Sequence, residues 1–599
     1  MAKEYVSMRN LRFLLHDVFN VEKLTTHERY ADHSKETFDL MLDTAKQMAD
    51  NLLYPIYKEM DMNEPKMGND TVHVHPQMRT IMQEFGQGGW IAAQESFEHG
   101  GQQMPATVYN ACNFIFHAAN TSAASYFGLT MGSADLISTF ASQELKDTYL
   151  PKMHNGEWQG TMALTEPHAG SSLGDITTTA TPTMDGSYRI KGQKHFISAG
   201  DHDGVDNVVH LMLAKIPGGP VGTKGISLFV VPKKRPENGT MVNNDVLTNS
   251  FEHKMGMKGC PIAYLIMGEK DDCHGWLVGE PHQGLRYMFQ MMNGARISVG
   301  MMSTALSSAA YYASLQYANE RPQGRQPSNK GQDGPMTPII EYADVKRMLL
   351  FQKSVMEGSL SLVTQCAIYE DLIKVTTGDE KVKYQMLLDL LTPMCKTYPA
   401  EMSVQSTSQG MQVLGGVGYC ADFPLQQYFR DTRINPIYEG TTGIQAMDLL
   451  GRKVTMKMGQ AVMLFGAELQ ETIKQGMAHD ALKPYSEKLG GSLQKFSEVT
   501  MKLMGLAQKE TPEVFLADAT LYLETAGILC VAWQWLKQAI VVQEKLAEGQ
   551  SGDELAFYEG KMYAFKYFFE YELPKSIGLV KRLMSDDRMT LEMGVGHLN

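Results

Sequence analysis

Cysteine is scarce in this chain: seven residues in 599, at positions 112, 260, 273, 366, 395, 420 and 530, none of them in a Cys-x-x-Cys pair. An odd, scattered set offers neither a disulfide framework nor a zinc site, so no metal is expected and the reading is of a protein kept in a reducing, cytoplasmic setting. Positive charge is also short. The 54 basic residues stand against 67 acidic ones, a net charge of −13, which disfavours non-specific attraction to nucleic acid or anionic lipid; an anionic substrate needs a local basic pocket. Long apolar runs are lacking too. The strongest, 524–537, contains Gln534 and falls short of the ~20 residues a membrane-spanning helix requires, so no transmembrane segment is expected. Residues 1–19 mix charged and apolar residues without the apolar core of a secretory signal.

What is present is enough apolar content, 43%, to give several domains a core. The 42 methionines read as adaptable core filler. Phe38, Met41, Leu42, Ala45, Met48, Ala49 and Leu52 recur at three- and four-residue steps up to Pro55, the mark of an amphipathic helix, and 117–147 continues in that manner. From 158 to 285 the pattern changes to short β-branched and aromatic runs (188–191, 195–198, 207–214, 225–232) bounded by Gly, Asp and Pro, which predict strands. The helical period returns after 284, in Tyr342, Val345, Leu349, Met356, Leu360 and Val363. Four prolines and three glycines in 320–338 must form an exposed or interface loop. Beyond 453, helices are predicted around 489–507, 516–542 and 562–573, with no internal repeat.

Three segments carry candidate chemistry. In Thr165-Glu166-Pro167-His168-Ala169-Gly170-Ser171-Ser172, hydroxyls and free N–H groups in a loop can bond a heterocycle edge or a phosphate; a turn satisfying its own backbone explains them equally well. Gln412-Val413-Leu414-Gly415-Gly416-Val417-Gly418 permits close backbone approach but follows a helical pattern and is not a dinucleotide fingerprint; alone it reads as a tight interhelical turn. In Ile437-Tyr438-Glu439-Gly440-Thr441, the carboxylate becomes a general base if a closed pocket raises its proton affinity, although an ordinary Glu is a solvated surface residue.

Taken in order, these segments and Gly192-Gln193-Lys194-His195-Phe196-Ile197-Ser198 resemble the acyl-CoA dehydrogenases over roughly 36–453. Glu252-His253-Lys254-Met255-Gly256, the run 443–449 and the chain beyond 453 are similar to the long subgroup that includes the 3-methylmercaptopropionyl-CoA dehydrogenases. The resemblance implies an α+β, mostly helical fold: an N-terminal extension (1–35), an N-terminal helical domain (36–157), a middle β-barrel-like domain (158–285), a helical bundle bearing the base (286–453) and an additional C-terminal helical domain (454–599). The order helix, strand, helix follows independently from the periodicities.

It further implies FAD as cofactor and α,β-dehydrogenation of an acyl-CoA thioester, with electrons passed to an electron-transferring flavoprotein. Glu439 matches the catalytic base, its N–H bonding the thioester carbonyl together with a flavin ribityl hydroxyl as an oxyanion hole. Met162, Leu164, Thr165, Gly170, Ser171, Phe196, Ile197 and Ser198 match flavin-binding positions. Arg321 and Gln323 match positions that reach a neighbouring subunit's FAD, which implies a homodimer, and Gln412, Gly415 and Gly416 match contacts to its adenine side. Thr441 matches a pyrophosphate-contacting hydroxyl, with Gly443 beside it. Ser171, Asn293, Arg296, Tyr438, Glu439 and Gly440 match substrate-binding positions; for Arg296 a helix-to-helix salt bridge is the competing reading. Phe196 and Ser198 stand where the family more often has Trp and Thr, and Ser172 where it usually has Asp. The substrate is 3-methylthiopropanoyl-CoA or a fatty acyl-CoA of undetermined length. An acyl-CoA oxidase using oxygen, and a non-catalytic scaffold of the same fold, are the rival readings.

Overall fold

The computed structural model describes residues 2–329 and 334–599. By its internal contacts the chain divides into two compact units, one of Met1–Leu42, Ala106–Phe114 and Arg296–Asn599, the other of Asp43–Pro105 and Ile115–Ala295. The N-terminal helices contribute to both.

Helix α1 (Lys35–Met48) buries Phe38, Leu42 and Ala45 and gives way to a π-turn, Ala49–Leu53, just before Pro55. Helix α2 (Gln77–Gln87) precedes α3 (Ala106–Phe140), whose path breaks at Asn120, with φ −162° and ψ 94°. The Asn120 side chain fills the break, accepting from the Ala123 N–H (3.1 Å) and donating to the Leu53 carbonyl (3.1 Å). Ser142 caps α4 (Gln143–His154), so the helical pattern read across 117–147 is two helices separated by a cap.

Eight strands of one sheet follow, with a separate hairpin of Lys234–Glu237 and Thr240–Asn243 among them: β1 (Trp158–Ala163), β2 (Thr179–Pro182), β3 (Tyr188–Ser198), β4 (Asn207–Lys215), β5 (Ile226–Pro232), β6 (Val246–Phe251), β7 (Ile262–Met267) and β8 (His274–Leu277). The two runs expected at 188–191 and 195–198 are one long strand, β3. It pairs with β8, β8 with β5, β5 with β4, and β2 joins β4 back to β3, closing a small barrel. Barrel interior on one side and flanking helices on the other account for the continuous burial of β4 and β5, whose side chains are covered on both faces. Met212, Ala214, Phe229 and Val231 join Ile190 and Ile197 in one core. The alternate residues Val209, Leu211, Leu213, Leu228 and Val230 pack with Ile137, Tyr149 and Met153 of the flanking helices in another.

The first unit is built on long helices: α5 (Gly284–Glu320), α6 (Ala343–Val375), α7 (Gly378–Leu414), α8 (Leu425–Thr432), α9 (Thr442–Asp448), α10 (Gln460–Gly476), α11 (Lys483–Ala507), α12 (Ala519–Ala547) and α13 (Gly552–Tyr567). The span Pro512–Ala547 is long and apolar enough, by length and composition, to cross a membrane; it is the one such span among the described residues. The sequence reading put the apolar run shorter than this. Most of the span's apolar window is buried inside the protein, and α12 is a core helix. Trp533 Nε1 donates to Thr472 Oγ1 (2.9 Å) and Trp535 Nε1 to the Ser354 carbonyl (2.8 Å), satisfying indole N–H groups that burial would otherwise strand. The N-terminal extension is packed as well: Leu11, Phe13, Leu14 and Leu15 are buried, and Arg9 pairs with Glu554 at 2.7 Å.

Two devices fix the helices around the later site. The carboxylate of Asp371, on α6, accepts from the backbone N–H groups of Ala106 (2.6 Å) and Thr107 (2.9 Å), from Thr107 Oγ1 (2.6 Å) and from Tyr30 Oη (2.8 Å). It caps the first turn of α3 from another helix, where Pro105 has no side-chain acceptor to offer. Helices α5 and α7 cross at Gly300, where an added Cβ would lie 2.1 Å from the Cys395 carbonyl oxygen. That carbonyl belongs to a turn interrupted by Pro399, which has no N–H to return to it. Gly300→Ala is therefore expected to destabilise the protein by roughly 1–3 kcal/mol through overpacking at this crossing, read as a lower midpoint in urea unfolding; an unchanged midpoint would show that the crossing tolerates a methyl group.

Candidate active site

The loop between α8 and α9 carries Glu439, and it is fastened on both sides. Before the glutamate, Asn435 donates to Ser303 Oγ (2.9 Å) and its carbonyl accepts from Lys396 Nζ (2.7 Å). Tyr438 Oη lies 3.7 Å from Met302 Sδ. After it, the Thr442 N–H bonds the Pro436 carbonyl (3.1 Å) and the Thr442 hydroxyl donates to Glu401. Thr441 is the N-cap of α9, its hydroxyl accepting from the Ile444 N–H at 3.2 Å. Thr441, expected as a pyrophosphate-contacting hydroxyl, thus already has a capping bond.

Glu439 itself has φ 53° and Gly440 φ 87°. A non-glycine residue held in the left-handed region stores about 1–3 kcal/mol and persists only where the surroundings enforce it. Here Gln445, fully buried on α9, donates to the Glu439 carbonyl at 3.3 Å, and a Cβ at position 440 would lie 2.3 Å from that amide nitrogen. Gly440 is thus required twice, for its φ and for its space. The Glu439 side chain is partly buried and makes no hydrogen bond or ion pair among the described residues. Burial pushes its carboxyl above the usual carboxylate range, while the charges of Arg296 and Lys396 pull it back.

Both cations are buried. Burial brings the Lys396 ammonium down to about 8, against the attraction of Glu439 and Glu401. Arg296 lies 3.6 Å from Asp448, so the helix-to-helix ion pair exists, yet its Nε and Nη1 and the Asp448 Oδ2 carry no hydrogen bond. Asp448 Oδ1 is taken by Arg452 at 2.6 Å. A buried guanidinium with two idle N–H groups is under-satisfied.

Elsewhere in the same unit, Gln412, Gly415 and Gly416 are exposed at the end of α7. Gly415 has φ 64° at the helix end, and a Cβ at either glycine would meet open space, so no neighbouring helix approaches these glycines in the described chain. Arg321 and Gln323 are exposed just after α5, where the Gln323 N–H bonds the Thr337 carbonyl (2.9 Å) and the Ile339 N–H the Arg321 carbonyl (2.8 Å); residues 330–333 of the loop expected at 320–338 lie outside the described residues. Gly443 lies in the first turn of α9.

In the other unit, the loop 164–178 is organised by a buried ion pair that the sequence reading missed. Glu166 accepts from Lys194 Nζ (2.9 Å), the Thr177 N–H (2.6 Å) and hydroxyl (2.9 Å), and the Thr178 N–H (3.0 Å) and hydroxyl (2.6 Å); Lys194 also bonds the Leu164 carbonyl at 3.0 Å. Burial opposes the Glu166 charge, but Lys194 and these donors hold its carboxyl down to about 2. This cluster fixes the backbone on which Thr165, Gly170 and Ser171 sit, the last two exposed. Ser172 bonds Asp175, so a carboxylate three residues on accompanies the serine. Met162 and Leu164 pack on the core beside the barrel. Ile197 is buried inside the barrel and can offer a ligand only its backbone. Phe196, at φ 59°, is 57% exposed and stacks on His195 with ring centroids 4.0 Å apart; His195 is held by Glu252 at 2.8 Å. Ser198 is partly exposed at the end of β3, and Asn293 partly buried on α5.

Models of the acyl-CoA dehydrogenase N-terminal, middle and C-terminal domains match residues 35–157, 161–269 and 282–454, and a model described as acetyl-CoA dehydrogenase C-terminal like matches 465–594. A butyryl-CoA dehydrogenase of Syntrophomonas wolfei is 34% identical, the match covering 98% of each chain. The chain belongs to the acyl-CoA dehydrogenase family. A 3-methylmercaptopropionyl-CoA dehydrogenase of Ruegeria pomeroyi is 34% identical over 92% of this acyl-CoA dehydrogenase and 93% of its own length. An acyl-CoA dehydrogenase from Bacillus anthracis, solved in complex with FAD, shares the fold at a TM-score of 0.74 and 21% identity, covering 96% of this chain and 91% of that one.

Lys396, Glu401, Gln445 and the Glu166–Lys194 pair were not singled out from the sequence. A signal existed for Lys396: a lone lysine in the otherwise uncharged helical stretch 390–400, where a charge is unexpected unless paired. Glu166→Gln should lower stability at neutral pH by roughly 3–5 kcal/mol, because it leaves Lys194 buried and unpaired. The wild-type contribution is present above the ordinary carboxyl value of 4.5 and lost as pH falls through about 2. Urea midpoints at neutral and acid pH should therefore converge between mutant and wild type as the pH is lowered; a constant gap would contradict the pairing.

Proposed function

We propose that this acyl-CoA dehydrogenase oxidises a short, linear acyl-CoA to the trans-2-enoyl-CoA, with Glu439 as the base that removes the α-proton. The observation that carries the reading is the strained, glycine-backed seat of Glu439: a carboxyl group without a partner, raised by burial, on a loop braced at both ends. A base must be ionised at the working pH yet have enough proton affinity to take a proton; burial supplies the affinity, and the charge of Arg296 works against it to keep the ionised form accessible. The Glu439 N–H, turned by the left-handed backbone, serves as a donor to the thioester carbonyl, where charge accumulates as the proton leaves. Arg296, with its idle N–H groups, is the donor assigned to the CoA thioester.

FAD fits the residues present. Phe196 offers an exposed aromatic face fixed by its stack on His195, Ser171 and Ser198 offer hydroxyls, and Gly415 and Gly416 leave open space for a ligand to approach their backbone. The residues that would hold it are Thr165, Gly170, Ser171, Phe196 and Ser198, with Arg321, Gln323, Gln412 and Gly416 supplied by a second copy in a homodimer. When bound, FAD supplies the hydride acceptor for the β-hydrogen, a capacity no side chain has. The chain's part is to orient the acyl group, exclude water and receive the proton at the Glu439 carboxylate. Electron-transferring flavoprotein is the proposed onward acceptor. Short linear substrates are favoured because the relatives from Syntrophomonas and Ruegeria are named for butyryl- and 3-methylmercaptopropionyl-CoA, two unbranched acyl groups of similar length.

Glu439→Gln should retain the yellow flavin but slow its bleaching by butyryl-CoA under anaerobic stopped flow by roughly 10²–10⁴-fold, the contribution of a general base. Bleaching at the wild-type rate would remove Glu439 from the mechanism. A panel of acyl-CoAs in the same assay should show the fastest reduction with four- and five-atom linear chains, and peroxide production in air would turn the reading toward an oxidase.

A further inference from the structure

Lys396 has no part in the roles assigned so far, yet a buried ammonium needs a reason. Its Nζ donates to the carbonyl of Asn435 at 2.7 Å, 39 residues along the chain and at the root of the base loop. On the same helix, Glu401 takes the Thr442 hydroxyl at the far end of that loop. Helix α7 thus holds both ends of the segment that carries Glu439, with a lysine at the Asn435 end and a glutamate at the Thr442 end. The charged groups around the base are few. Arg296 faces it from α5, its own charge shared with Asp448, which is also bound by Arg452. Lys396 faces it from α7, with Glu401 drawing on the same ammonium.

We propose that Lys396 is a positioning residue for the base, anchoring the Asn435–Thr442 loop through the Asn435 carbonyl and supplying the charge that keeps Glu439 ionised for proton abstraction. The proposal rests on the assignment of Glu439 as base. Its two parts make different demands: a neutral donor at 396 preserves the anchor and removes the charge, whereas an apolar residue removes both.

The test uses the flavin-loaded full chain in three variants, Lys396→Arg, Lys396→Gln and Lys396→Met, alongside Glu439→Gln. The readout is the pH dependence of the anaerobic flavin-reduction rate at saturating butyryl-CoA. In the wild type the rate rises with pH as the base ionises. Lys396→Gln should move that rising limb to higher pH by roughly one to two units, the effect of losing a nearby opposite charge, while the plateau rate at high pH stays within about threefold of wild type. Lys396→Met should show the same shift and a plateau lowered by at least tenfold, and Lys396→Arg, which keeps the charge and is the variant best placed to fold, should leave the limb where it is. A limb that stays put in Lys396→Gln, or one that moves equally in Lys396→Arg, overturns the proposal, as does a loss of plateau rate alone, which a purely structural lysine would give. If Glu439→Gln reduces its flavin at the wild-type rate, the base assignment falls and this proposal with it; if that variant is inactive and the limb in Lys396→Gln is unmoved, only the role of Lys396 is lost.

Discussion

The crossing of α5 and α7 at Gly300 is the constraint from which the seat of Glu439 follows. With no Cβ on one helix and a proline-interrupted turn on the other, the Cys395 carbonyl comes so close to Gly300 that a methyl group would overlap it. That approach sets Arg296 and Ser303 on one side, and Lys396 and Glu401 on the other, within reach of a single loop. Ser303 and Lys396 both bind Asn435, so the loop is positioned by two helices at once. Only a backbone held this firmly can keep a glutamate in the left-handed region, since the strain relaxes wherever the surroundings give way.

Charge burial is used throughout in the same manner. The carboxylates of Glu166 beside Lys194, Glu357 beside Lys353 and Lys561, and Asp371 beside four donors are each shut away from water and each met by cations or donors. Such groups add little net stability over well-packed apolar residues, but leaving one partner alone is severely unfavourable. They therefore discriminate between arrangements: the Thr165–Ser172 loop, the first turn of α3 and the docking of α13 each have one geometry in which no charge is stranded. The surroundings of Glu439 depart from this rule. Arg296 and Glu439 keep unused hydrogen-bonding capacity, and a site that must recognise something else is where such a departure is expected.

Much of the architecture was legible in the sequence because periodicity is local. The 3.6-residue repeat through 342–363 and the apolar runs at 207–214 and 225–232 follow from which faces are covered, and α6, β4 and β5 lie where those patterns run. Strands with weaker alternation, such as β2 and β6, were missed, because half of their residues face solvent or lie at a sheet edge and carry little apolar signal. The Thr-Glu-Pro segment was noticed for its hydroxyls, whereas its glutamate proved to be the group on which the loop is organised. The helix read at 516–542 is α12, while the apolar run at 524–537 looked too short to span a membrane; Gln534 and Gln538 of α12 are both buried in the core.

The sequence by itself determined the family, through its ordered motifs, and the order of helical and strand regions, because each is written in contiguous residues. Tertiary structure alone decided which charges share a dry interior: Lys396 with the loop of Glu439, Lys194 with Glu166, Asp371 with the end of α3. A helical period says that a residue faces inward but not what it meets there. That partner is chosen by how closely two helices can approach, and here a missing methyl group at residue 300 makes the choice.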